Sequence, residues 1–164
     1  MSVYDEVRAY HEQVGDDYGR EHNRFVRYDA ALSLFPPLYD GLLDVGCGTG
    51  QFRVWWKEST HYTGIDLLEG QNVLDYHEPH GVILGLGIFY RVFHGEQFRL
   101  LSHLWDLAEV AVVAQTITTE HGQHPGEYPA DPVQWLRFAR TLTPKVALRM
   151  DYMDGRDMTI ALYR

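Results

Sequence analysis

The sequence predicts a single α/β domain: a mostly parallel sheet with helices on both faces and an antiparallel hairpin at its carboxyl-terminal edge. Three observations carry this expectation. Apolar strand-like segments alternate with helical ones from residue 42 onward, which is the pattern of parallel strands joined by crossover helices. GVILGLG (residues 81–87) is too apolar to alternate, so both of its faces must be covered. The chain ends on two strand-like segments, KVALRMDY and MTIALYR, around MDGRD, whose Asp154-Gly155 pair suits a tight hairpin.

Taken in order, residues 3–13 read as a short helix, followed by the polar break VGDDYGREHN. Asn23 is a fair cap for RFVRYDAALSLF, where Phe25, Tyr28, Leu32 and Phe35 recur near helical spacing. Pro36 and Pro37 end that helix. LLDV (42–45) is the first buried strand, QFRVWWKE (51–58) the helix after it, and YTGID (62–66) the second strand. Trp55 and Trp56 pack that helix onto the sheet, with one of the two half exposed because adjacent helical residues diverge. After residues 81–87, a helix spans about 94–107 with Phe98, Leu101 and Leu104 or Trp105 on one side. EVAVVAQTIT (109–118) is the clearest strand, and Asp131-Pro132 caps and opens a helix that runs to Arg140.

Composition narrows the partners. The chain has 164 residues, enough for one domain over 1–164 with a real core. A net charge of −9 argues against a polyanionic partner, since nucleic-acid binders gain much of their affinity from Lys and Arg. No apolar run approaches the ~20 residues that span a bilayer. The first residues lack the basic start and apolar centre of a signal peptide, and Cys47 is the single cysteine. Both fit a reducing, cytoplasmic setting. His77/His80 and His121/His124 share H-x-x-H spacing but have no further ligands at recognisable spacing, so they read as surface loop and no metal site is expected.

The chemistry is concentrated in GLLDVGCGTGQF. Glycine stands at Gly46, Gly48 and Gly50, after an acid, Asp44, on a buried strand. One glycine would serve a plain strand-to-helix turn. Three on alternate residues, at the carboxyl end of a parallel strand, point to a ligand pressed against the backbone. The G-x-G-x-x-G dinucleotide fingerprint fails, because Gln51 occupies its third glycine position, and no Lys-Ser/Thr follows for a phosphate loop. Asp66 closes the next strand 20 positions beyond Gly46, where a carboxylate can accept from both hydroxyls of a ribose.

LLDVGCGTG resembles the first motif of the class I S-adenosylmethionine-dependent methyltransferases, and the likeness extends from about residue 24 to 164. It implies a three-layer Rossmann-like fold whose last two strands are reversed. It implies S-adenosylmethionine as cofactor and S-adenosylhomocysteine as product. Asp44, Gly46, Cys47, Gly48 and Gly50 would surround the methionine part, with Asp66 and Leu67 at the ribose. Asn72 and Val73 would lie beside the adenine, with Asn in place of the family's acid. Gly87 would border the site, and Arg24 or Arg20 would meet the cofactor carboxylate. One departure is clear: five residues between Asp66 and Asn72, and few between Tyr76 and Gly81, leave no room for crossover helices, which need about a dozen residues. NVLDY (72–76) is then either an edge strand or, as read here, a loop across the sheet end. Six strands remain, the helices around the family's third strand are missing, and the adenine side is shallow.

The resemblance implies methyl transfer to an oxygen or nitrogen of a small molecule by in-line displacement, where alignment matters most and a base serves only if the acceptor must lose a proton. His121 is the first candidate base, followed by His94, Tyr90 and Glu120. Residues 1–23 would form a lid, with Tyr4, Tyr10, His11 and Tyr18 as acceptor-pocket candidates. Neither the D/N-P-P-Y/F signature nor a Pro-Cys nucleophile of DNA methyltransferases is present. A module that binds the cofactor without turnover, and an enzyme that cleaves it, are the competing readings; a nucleic-acid methyltransferase ranks last.

Overall fold

The structure, a computed structural model, describes residues 21–56, 61–122 and 125–164, with the side chains of 21 and 22 excepted. The expected helix at 3–13, together with Tyr4, Tyr10, His11, Tyr18, Arg20 and His124, lies outside the described residues. The elements in chain order are α1 (Glu21–Leu32), β1 (Leu42–Val45), α2 (Gln51–Trp55), β2 (Tyr62–Ile65) and β3 (His80–Leu86). They continue with α3 (His94–Leu107), β4 (Ala108–Ile117), α4 (Pro132–Leu142), β5 (Val146–Arg149) and β6 (Asp157–Tyr163).

The six strands form one sheet in the order β2-β1-β3-β4-β6-β5. The first four are parallel, whereas β6 runs antiparallel to both β4 and β5. Strand alternation sorts the core into two layers. Leu43, Val45, Ile83 and Val112 pack with Leu101 and Leu104 of α3 and Trp135 and Ala139 of α4. Leu42, Val82, Leu84, Ala111 and Val113 pack with Tyr28 and Ala31 of α1 and Phe52 of α2 on the other face. This is the three-layer arrangement the sequence predicts. Order reverses at β1, whose neighbours β2 and β3 leave a crevice at their carboxyl ends.

Local chemistry explains the element boundaries. Asp131 accepts from the backbone N–H of Val133 and Gln134 and caps α4, with Pro132 in its first turn. The helix α1 already includes Glu21, so Asn23 lies inside it and is not its cap. The helix α2 stops at Trp55; Trp56 is extended and buried, its indole donating to the Tyr39 hydroxyl at 3.0 Å, while the half-buried Trp55 stacks on Phe25 at 4.5 Å. Residues 73–75 form a single 3-10 turn capped by Asn72, so the segment crosses the sheet end as a loop and the sheet keeps six strands. The β5–β6 connection is longer than the expected tight hairpin: residues 150–156 contain a 3-10 turn with Met153 and Asp154 at φ 52° and 55°. His80 is no surface-loop residue; it opens β3, and its Nε2 lies 2.7 Å from the Tyr76 hydroxyl.

Candidate active site

The crevice holds a cavity of about 670 Å³. Its base is the glycine turn after β1. Gly46 has φ 73°, and a Cβ there would stand 2.2 Å from Ile88 Cγ2, so only glycine lets the segment after β3 close against the turn. Gly48 has φ 52° and nothing within 4 Å of its missing Cβ, so its bare backbone faces open space. The Gly48 N–H donates to Asp66 Oδ2 at 2.8 Å. Asp66 Oδ1 accepts from Leu68 N–H at 2.8 Å, which caps the turn at Leu67–Glu69. The ends of two adjacent strands are thus joined through one carboxylate. Each carboxylate oxygen has a second lone pair left for a ligand donor.

Asp44 is 2% exposed on β1 and lines the same cavity. Strand alternation turns it toward α1 and α2, where the Tyr62 hydroxyl donates to Asp44 Oδ2 at 2.6 Å. Burial pushes its carboxyl up to about 7, against the pull of the Tyr62 hydrogen bond, and the nearby charge of Asp66 adds to the rise. The same burial, with Asp44 next, pushes the Cys47 thiol up to about 11, so Cys47 remains a neutral thiol near pH 7.

The cavity is also lined by Tyr90 and Arg91 of the 3-10 turn Phe89–Arg91, by Glu96 at the start of α3, and by Gly126 and Tyr128. Buried Gln97 ties these pieces together: its Nε2 donates to the carbonyls of Phe89 (2.9 Å), Val92 (3.1 Å) and Tyr128 (2.8 Å). Its Oε1 accepts from Trp135 Nε1 at 3.3 Å. Arg91 lies 4.9 Å over the Tyr90 ring and donates through Nη1 to the Gly126 carbonyl. Its Nη2 stands 3.8 Å from Glu127 Oε1, and Glu127 Oε2 lies 3.7 Å from His121 Nε2. Among the described residues, no group of three or more His, Cys, Asp or Glu side chains could hold a metal ion, and no helix is long and apolar enough to cross a membrane.

Neither a family model nor a curated protein sequence matches the chain. Solved structures do match it throughout. A SAM-dependent methyltransferase from Archaeoglobus fulgidus superposes with a TM-score of 0.72 at 13% identity, covering 96% of this chain and 99% of that one. Magnesium protoporphyrin IX methyltransferase from Synechocystis PCC 6803, with bound SAM, gives 0.69 at 13% identity, covering 100% and 98%. The N-methyltransferase NodS from Bradyrhizobium japonicum, in complex with S-adenosylhomocysteine, gives 0.64 at 12% identity, covering 100% and 98%. The chain has the class I methyltransferase fold.

Within this methyltransferase fold, most residues singled out from the sequence come together. Asp44, Gly46, Cys47, Gly48, Asp66 and Leu67 line the cavity, as do Asn72, Val73 and Gly87. Gly50 (φ 79°) opens α2 just outside that wall, and Arg24 lies on α1, also outside it. Asn72 already uses its Oδ1 to accept from Leu74 N–H at 3.1 Å. Of the acid–base candidates, Tyr90 is in the wall and His121, His94 and Glu120 are not. His94 Nε2 lies 3.0 Å from the Pro129 carbonyl. Sequence reasoning missed Tyr62, Phe93, Gln97 and Tyr128. A tyrosine opening the strand beside a buried acid was a legible signal for Tyr62. Gln97 and Tyr128 join only through a contact 31 positions long, and no local pattern announces it.

Proposed function

We propose that this protein is an S-adenosylmethionine-dependent methyltransferase acting on an oxygen or nitrogen nucleophile of a small molecule. The observation that carries the proposal is the Gly48–Asp66 hydrogen bond, which sets a bare backbone turn and a ribose-competent carboxylate side by side at the strand-order reversal. The residues fit the cofactor: a Cβ-free turn at Gly48, a carboxylate with spare lone pairs, and a second, buried carboxyl suited to a cationic group. Asp66 would accept from the ribose hydroxyls, Asp44 would face the methionine portion, and Asn72 and Val73 would border the adenine. When bound, the cofactor supplies a sulfonium methyl open to displacement. The protein's part is then alignment and exclusion of water rather than bond-making. Tyr90 belongs to the acceptor side, in accord with its place in the wall, and His121 would act through Glu127 on Arg91, which lines that wall. Magnesium protoporphyrin IX methyltransferase provides a precedent for a small acceptor on this fold, and the N-methyltransferase NodS one for transfer to nitrogen.

Thermal unfolding with S-adenosylmethionine and S-adenosylhomocysteine tests the reading, since a ligand of the native state raises the melting temperature. Both are expected to do so. Asp66→Ala should weaken binding about tenfold to a hundredfold, in line with loss of charged hydrogen bonds of about 1.5–3 kcal/mol. Gly48→Val should abolish it. Unchanged affinity in both folded variants refutes the site, and binding without turnover across acceptors favours a non-catalytic module.

A further inference from the structure

We propose that the acceptor half of the cavity is built for an uncharged aromatic ring carrying the nucleophilic hydroxyl or amine, an inference that rests on the methyl-transfer reading above. Phe93 borders the cavity yet is 65% exposed, an apolar ring left in water at the mouth of a site. It does not stand alone. Tyr128, also in the wall, has its ring centroid 5.0 Å away at an interplanar angle of 55°, and His94 meets Tyr128 edge-on at 5.7 Å and 81°.

The aromatic wall is held in place before any ligand arrives. Tyr128 N–H donates to the Tyr90 carbonyl at 2.7 Å, and the Tyr128 carbonyl accepts from buried Gln97 at 2.8 Å. His94, which touches Tyr128 without lining the cavity, has its Nε2 3.0 Å from the Pro129 carbonyl. The main chain that carries Tyr128 is thus fixed, and the rings of Tyr128 and Phe93 present π-faces and edges to which another ring can stack or tilt. Ile88, Val92 and Leu100 complete an apolar surround.

Charge decides between kinds of ring. Arg91 is the guanidinium in this wall, and its Nη1 and Nη2 are already directed at the Gly126 carbonyl and Glu127. Glu96, also in the lining, is paired with Arg99 Nη1 at 3.0 Å, and Asp44 and Asp66 line the same cavity. Among the described residues of the lining Arg91 is the one guanidinium or ammonium group, and it is already engaged, so a carboxylated or phosphorylated ring meets carboxyl groups without an open cation and anionic acceptors are selected against.

The test uses the full chain saturated with S-adenosylhomocysteine and titrates it with phenol, aniline, cyclohexanol and benzoate, read by ligand-observed NMR. Phenol and aniline are expected to bind about tenfold more tightly than cyclohexanol or benzoate. Phe93→Ala and Phe93→Leu should both lose about tenfold for phenol while holding S-adenosylhomocysteine as the parent does; the exposed position keeps both variants folded. Equal binding of cyclohexanol, stronger binding of benzoate, or an unchanged phenol affinity in Phe93→Leu overturns the inference. Failure of S-adenosylhomocysteine to bind at all would instead sink the methyl-transfer reading, with which this inference falls.

Discussion

Asp44 shows how one side chain couples folding to pH. Its ordinary value is 3.8, and burial raises it to about 7. Below pH 4 both the folded and the unfolded chain hold the proton, and the group's contribution is fully present. Between 4 and 7 the unfolded chain loses the proton that the folded chain keeps, so stability falls as pH rises, and the loss is complete above about 7. Urea unfolding from pH 4 to 8 should reveal this decline, of the order of a few kcal/mol, and Asp44→Asn should flatten it. An equally steep slope in the variant would locate the titration elsewhere. Burial and the charge of Asp44 likewise raise the Tyr62 phenol well above its ordinary value of 10, so Tyr62 keeps its proton across this window and adds nothing to the slope.

Between β2 and β3 two 3-10 turns, Leu67–Glu69 and Val73–Asp75, stand in for a whole helix, and the second meets α3. His103 on α3 holds it: His103 Nε2 lies 2.8 Å from the Val73 carbonyl and 3.1 Å from the Tyr76 carbonyl. Two acceptors require the proton to sit on that nitrogen. Val73 lines the cavity, so the contact fixes the wall assigned to the adenine. His103→Ala should lower stability by about 1 kcal/mol, for the loss of one N–H shared between two carbonyls. It should also weaken S-adenosylhomocysteine measurably by calorimetry, and His103→Gln, which keeps an N–H donor, should restore much of both. The shortened chain at this element was readable from the count of residues between Asp66 and Asn72. The histidine that compensates for it was not, since it lies 30 positions from Val73.

Across the molecule, α1 is bound to the far side of the sheet by a buried ion pair. Arg27 Nε donates to Asp157 Oδ2, 130 positions away, and Gln115 Nε2 donates to the same oxygen at 2.9 Å. Asp157 is fully buried, and the Arg27 side chain is 10% exposed. Removing one partner strands a charge in the interior, so Arg27→Met should destabilise by about 3–5 kcal/mol in chemical denaturation, whereas Arg27→Met with Asp157→Leu should recover part of the loss. A double variant no more stable than the single would show that the pair is not the source. Because Tyr28 on the same helix lines the cavity, this anchor also holds one side of the site.

What the linear chain determined rests on local physics. Apolar runs, proline breaks and caps such as Asp131 act within a few residues of themselves, so strands, helices and the glycine turn were legible at once. Glycine at Gly46, Gly48 and Gly50 declared a close approach because backbone freedom is a property of the residue itself. Tertiary structure alone decided which groups meet across distant positions. The clamp formed by Gln97, the exposed Phe93 beside Tyr128, and the removal of His121 and His94 from the cavity wall all depend on packing between elements. Side-chain contacts of that kind are fixed only when the sheet brings its strand ends together, and no spacing along the chain encodes them.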